Sequence, residues 1–147
     1  MQNNIAVLLP YKDQFIKDNA GSASIWVKDF SKDSKLKKNT TIFGYTSNVS
    51  KTFDNFNYVN LKFSNFGVQS KNLKYVNKFI DVLNRKKFSL IEIHNRPSYI
   101  LHIEKNLPNQ KYILVIHNNP QTLRGAVTAK ERKHLIKLCS KITFVSN

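Results

Sequence analysis

The chain has 147 residues, 41% of them hydrophobic and 12% aromatic, which excludes a disordered tail and leaves enough apolar material for one packed domain. Twenty-four Lys and Arg against nine Asp and Glu give a formal charge of +15, a balance that points to anionic partners. The single Cys139 excludes a disulfide framework and a cysteine-built zinc site. The longest apolar runs, 5–9 and 112–116, are five residues each, too short for a bilayer span or the core of a signal peptide. The opening Met1-Gln2-Asn3-Asn4 also lacks the basic flank of an export signal. The composition therefore predicts a soluble, cytoplasmic α/β domain.

The charge has a second reading. Twenty of the basic residues are Lys and four are Arg, whereas base-edge readout favours Arg. The chain also holds 18 Asn and 13 Ile, and Lys, Asn and Ile share A/T-rich codons, so codon bias accounts for part of the excess. Nucleic acid is the disfavoured partner. An anionic membrane or a phosphorylated substrate remains open, with Lys32, Lys35, Lys37 and Lys38 and the 71–78 helix face as the basic surface.

No repeat or Pro/Gly/Ser-rich linker divides residues 1–147, which read as a single domain. Residues 5–9 are a buried strand ended by Pro10, and a helix starting near Gly21-Ser22 carries Ile25, Trp26, Val27 and Phe30. Residues 41–45 and 58–61 read as the next two strands. Residues 72–85 place Leu73, Val76, Phe79, Ile80 and Leu83 at helical spacing. A strand follows at 90–93, then Pro97 in the first turn of a helix that covers 99–107 and closes at Pro108. The most apolar strand is 111–116, with a helix at 128–139 and a last strand at 142–145. Strands alternating with helices of this length predict a doubly wound parallel sheet with helices on both faces. In the common order 3-2-1-4-5-6, ligands bind at the carboxyl ends of strands one and four.

That rule selects three polar segments. Asn19, Gly21 and Ser22 lie at a helix start, where free N–H groups suit an anion and glycine permits close approach; an ordinary cap by Ser22 or Ser24 is the alternative. His94-Asn95-Arg96-Pro97 ends an apolar strand with an imidazole, an amide and a guanidinium, groups for proton transfer and for phosphate or carboxylate binding. His117-Asn118 ends the next strand in the same way, and the long polar loop behind it carries Arg124. Two histidines at one mouth would suit a metal, but no third ligand has suitable spacing, so no metal is expected. His102 and His134 read as surface or packing residues, and Cys139 as a buried thiol. The aromatic residues between Phe53 and Phe79 alternate with lysines in a way that can stack bases, although the helix-spaced ones suit a core.

Together these segments carry a resemblance. Ser89-Leu90-Ile91-Glu92-Ile93-His94-Asn95-Arg96-Pro97 resembles the D-[IV]-[IV]-H-x-H-x-x-P segment of the family 4 (group 1) glycosyltransferases of the GT-B fold. Tyr112-Ile113-Leu114-Val115-Ile116-His117-Asn118 resembles the strand that follows it there, and Lys141-Ile142-Thr143-Phe144-Val145-Ser146-Asn147 the strand ending that half of the enzyme. Three departures stand out: Glu92 in place of the first His, Ser89 in place of the Asp, and a lone Gly21 where many members have a glycine pair.

The resemblance implies the Rossmann-like, acceptor-side half of a retaining transferase that builds cell-surface polysaccharide or lipopolysaccharide on the cytoplasmic face of a membrane. A nucleotide-sugar would be the donor co-substrate, with no other cofactor, and a sugar or lipid-linked molecule the acceptor. His94 matches the active-centre histidine, and Gly21, with Asn19 and Ser22, the donor diphosphate loop. Asn95, Arg96, His117, Asn118 and Arg124 are candidates for acceptor or phosphate contacts. Most nucleotide contacts and a paired-glutamate motif would lie in a carboxy-terminal domain absent from this chain, so residues 1–147 alone are expected to fold but not to transfer sugar. The alternative is a stand-alone, flavodoxin-like module that binds a phosphorylated ligand or nucleic acid without catalysis.

Overall fold

The computed structural model describes residues 4–145. The first three residues, read above with the amino-terminal segment, and Ser146-Asn147 of the last motif lie outside the described residues. Strands and helices alternate as β1 (Ile5–Leu8), α1 (Ser22–Ser31), β2 (Thr40–Gly44), β3 (Tyr58–Asn60), α2 (Lys71–Arg85), β4 (Leu90–His94), α3 (Pro97–Asn106), β5 (Tyr112–Ile116), α4 (Ala129–Leu138) and β6 (Cys139–Phe144). Every strand pairing is parallel, and the order is β3-β2-β1-β4-β5-β6. The expected doubly wound sheet is present, with its reversal between β1 and β4.

Local chemistry sets the element ends. Ser70 caps α2 by accepting from the Leu73 N–H at 3.3 Å, and Pro97 occupies the first position of α3. Thr128 and Glu131 form a reciprocal capping box at α4. Period-two alternation then divides the sheet residues between two cores. Leu8, Phe43, Ile93 and Leu114 pack against α2, α3 and α4 through Phe79, Ile100 and Leu135. Val7, Leu9 and Ile42 pack on the other face against Ala23 and Val27 of α1 and against Phe15.

Three expectations change. Cys139 begins β6 rather than ending a helix, because α4 runs directly into the strand and a register shift opposite Tyr112 and Ile113 takes up the join. β4 extends one residue further than the pattern predicts and ends on His94 itself. α1 buries only Ala23, Ser24 and Val27, leaving Ile25 and Phe30 exposed and Trp26 half-buried.

The basic surface also divides. Lys32, Lys35, Lys37 and Lys38 follow α1 and precede β2, at the amino edge of the parallel sheet, whereas Lys71 opens α2 at the carboxyl edge. The two groups therefore begin at opposite ends of the sheet. No helix among the described residues is long and apolar enough to cross a membrane.

The loop after β5 is seated on α3. Arg124 O accepts from the Ser98 N–H at 3.1 Å, and Gly125 has φ +91°. A Cβ there would lie 2.7 Å from Ser98 N and 2.9 Å from Ser98 Cα, both rigid backbone atoms. Gly125→Ala is therefore expected to cost more than ~1 kcal/mol of stability, from the left-handed φ and the clash together. Urea unfolding with an unchanged slope would read this as a lower midpoint; an unchanged midpoint would mean that the loop is not held against α3.

Candidate active site

The sheet brings one acid and two imidazoles into a line. Glu92 and His94 stand two residues apart on β4 and so share the α1 face. His94 is in register with Val115 of β5, and His117, two residues beyond Val115, projects to the same face. His94 Nε2 lies 2.7 Å from Glu92 Oε1, and His94 Nδ1 lies 3.0 Å from His117 Nε2. His94 has no solvent exposure, whereas Glu92 and His117 are each partly exposed at the ends of the chain of contacts. Trp26 of α1 covers the pair, its ring centroid 5.2 Å from His94 and 6.0 Å from His117.

These distances order the protons. A carboxylate at Glu92 accepts from His94 Nε2–H, which leaves His94 Nδ1 as an acceptor for His117 Nε2–H. His117 Nδ1 is then the basic nitrogen of the neutral chain, and it has no protein partner among the described residues. Partial burial pushes the His117 pKa below the ordinary 6.5, and His94 pushes it the same way, while Asp13 and Glu92 oppose the shift. His94 itself is sealed from solvent, and His117 is the partly exposed imidazole end of the line.

Asn95 holds the two strand ends together. Its backbone takes φ 53°, a left-handed turn that asparagine tolerates. Its N–H donates to Val115 O at 2.7 Å, and its Oδ1 accepts from the His117 N–H at 3.4 Å. Arg96 donates back to Asn95 O at 2.9 Å. The Tyr99 pKa is raised by burial, and the Tyr11 N–H and then the Arg96 guanidinium partly oppose this. Tyr99, Arg124, Ser70, Asn72, Ser98 and His102 line a cleft of about 220 Å³ between α2 and α3. The structure thus separates the predicted residues: His94 and His117 face α1, whereas Arg124 lines the α2–α3 cleft and Arg96 folds back on Asn95 O. Asn118 is exposed beside His117.

The glycine loop is already occupied. Asp13 reaches back so that its two carboxylate oxygens accept from the Ala23 and Ser24 N–H groups, each at 3.0 Å. A Cβ on Gly21 would lie 2.4 Å from the Asp13 carboxyl, so glycine makes room for this internal anion. Neither Ser22 nor Ser24 caps the helix as a local residue would. A donor diphosphate at Gly21 and Ser22 would face a fixed negative charge and two amides already bonded. Asn19 is exposed at the start of this loop.

Asp13, Glu92 and Trp26 are the site residues that sequence reading did not select. Glu92 had a signal, since an acid two residues before a strand-end histidine must share its face. Asp13 had a weaker one, as one of nine acids, placed between a strand-ending proline and the glycine. Among the described residues no group of three or more His, Cys, Asp or Glu side chains could hold a metal ion. Compared with known proteins, the chain matches no family model and no curated sequence.

Two outcomes follow from the geometry. Asp13→Ala removes a two-amide cap and is expected to cost about 1 kcal/mol in urea unfolding; unchanged stability would show that Asp13 does not hold α1. Trp26 is the sole tryptophan, and an imidazolium beside it quenches indole emission. Its fluorescence is expected to titrate with a midpoint below 6.5, and His117→Gln should abolish that step. A lowered histidine pKa means that the native state binds fewer protons than the unfolded chain below 6.5, so stability is full above that pH and falls as pH drops through the folded midpoint. His102, lowered chiefly by burial and then by Lys105, acts in the same direction.

Proposed function

We propose that this domain is the acceptor-side half of a retaining, nucleotide-sugar-dependent glycosyltransferase acting in cell-surface polysaccharide or lipopolysaccharide synthesis. The observation that carries the reading is the acid–imidazole–imidazole line, buried at its centre, at the carboxyl ends of β4 and β5 beside the reversal of a doubly wound sheet. Open α/β sheets bind ligands there, and an imidazole presented at that place handles protons near neutral pH. The sugar or lipid-linked acceptor would approach His117 along the carboxyl edge, with Arg96 and Arg124 available for a phosphate or carboxylate. The donor diphosphate is not assigned to Gly21, because Asp13 fills that position. Nucleotide contacts belong, on this reading, to a second domain that closes over the same edge and excludes water.

The same edge offers a route to the membrane. Lys62 and Lys71 flank Phe66 and Val68, whose side chains are fully exposed after β3. Each lysine would contribute on the order of 1 kcal/mol towards an anionic surface. Co-sedimentation with anionic vesicles at low salt is expected to exceed that with neutral vesicles and to fall in Lys62→Glu/Lys71→Glu; equal binding to both vesicles would remove the membrane contact.

The function itself is tested with the product of the complete reading frame, supplied with nucleotide-sugars and a lipid-linked acceptor fraction. Transfer of labelled sugar is expected, falling by about 10²–10⁴-fold in His117→Ala. A frame without a second α/β domain, together with no transfer, would overturn the assignment.

A further inference from the structure

We infer that Glu92, His94 and His117 form a proton relay in which His117 Nδ1 is the group that exchanges a proton with a substrate hydroxyl, His94 is a buried connector, and Glu92 is the counter-charge that holds both imidazoles in one tautomer. The inference rests on the glycosyl-transfer reading only for the identity of the hydroxyl, which would belong to the acceptor. The relay itself stands on the two contacts at 2.7 Å and 3.0 Å and on the sealing of His94 between its partners.

The geometry assigns each role. A fully buried imidazole without partners would lose its hydration with nothing in exchange; here each ring nitrogen is matched, one to an acid and one to a second imidazole. His94 therefore has no free nitrogen for a ligand. His117 has one. When a hydroxyl O–H bond breaks, its proton forms the Nδ1–H bond of His117, and the oxygen keeps the electron pair for attack on the sugar carbon of the nucleotide-sugar from the same face as the departing diphosphate, which is what retention requires. That carbon releases the nucleoside diphosphate, whose oxygen takes the electrons of the broken bond. The His117 imidazolium keeps Nε2–H on His94 Nδ1, and His94 keeps Nε2–H on Glu92, so the new positive charge is balanced across one ring without a proton leaving the line. The proton on Nδ1 then returns to solvent or to the departing phosphate. The titratable groups facing His117 are Glu92 and His94 from β4 and Asp13 from the loop after β1, while α1 presents the Trp26 ring.

Glu92 is in this account a positioning residue, and its effect must be visible where no substrate is present. Imidazole nitrogens of the ¹⁵N-labelled chain are followed by NMR through a pH titration, in the parent and in Glu92→Gln and Glu92→Asp. In the parent, His117 Nδ1 is expected to be the nitrogen that gains the proton, while His94 stays in the Nε2–H tautomer throughout. Glu92→Gln, which keeps the hydrogen-bond acceptor but removes the charge, should lower the His117 midpoint. Glu92→Asp should restore part of it. Titration on His94 rather than His117, or a His117 midpoint indifferent to Glu92→Gln in a folded variant, would overturn the relay. The parent titration decides between the rings even if neither variant folds. In the full-length transferase, the acid limb of the transfer rate should follow the His117 midpoint and move with Glu92→Gln. Failure of transfer with the NMR pattern intact would refute the function and leave the relay standing.

Discussion

The site depends on keeping one imidazole in the interior of a parallel sheet. His94 is the last residue of β4 and is completely buried, and a buried polar ring without partners would cost on the order of 1–3 kcal/mol. The cost is offset by two neighbours that the sheet itself provides. Glu92 comes from the same strand by period-two alternation, and His117 comes from β5 by register. A one-residue slip between β4 and β5 would turn His117 to the α2–α4 face and leave His94 Nδ1 without its partner. The Asn95 turn, which joins β4 to Val115 and to the His117 N–H, opposes such a slip. Trp26 then needs α1 in place above the rings, and α1 in turn is held by Asp13. Fold and site are linked through these few contacts.

Electrostatics at this edge differ from the chain as a whole. A molecule of formal charge +15 places two of its nine acids, Asp13 and Glu92, where the resemblance anticipated a diphosphate or a histidine. Asp13 neutralises the helix start from within, and Glu92 serves the imidazoles. Arg124, which sequence reading grouped with the histidines, lines instead the α2–α3 cleft beside Tyr99. The result is two chemically distinct regions: an imidazole pair under Trp26 and a cleft across the strands that carries Arg124. On the proposed reading, the first would meet the reacting hydroxyl and the second the rest of an anionic acceptor.

Sheet order, the alternation of elements and the polar ends of β4 and β5 were legible in the sequence because each rests on a local period or on a residue that punctuates the chain. The helix over 72–85 and the strand at 111–116 announced themselves through their apolar residues, and the structure places both within one residue of the reading. What escaped reading was long-range. Asp13 caps a helix ten residues away, a contact that no fixed offset signals. Cys139 sits in helical spacing but starts a strand, since β5 already offers an edge for pairing. The separation of Lys32–38 from Lys71 follows from parallel topology and is invisible to a count of charges. Glu92 registered as a departure from the family pattern, yet its position on the strand was enough to pair it with His94.

The most direct measurement is the scalar coupling across the His94–His117 hydrogen bond, read between His94 Nδ1 and His117 Nε2 in ¹⁵N-labelled protein at a pH above the His117 titration. A resolved nitrogen–nitrogen coupling, with the shared proton covalently on His117 Nε2, is the result this account predicts. Absence of coupling together with a proton resting on His94 Nδ1 would contradict it, because Glu92 would then not be setting the tautomer and His117 would not be the open end of the line.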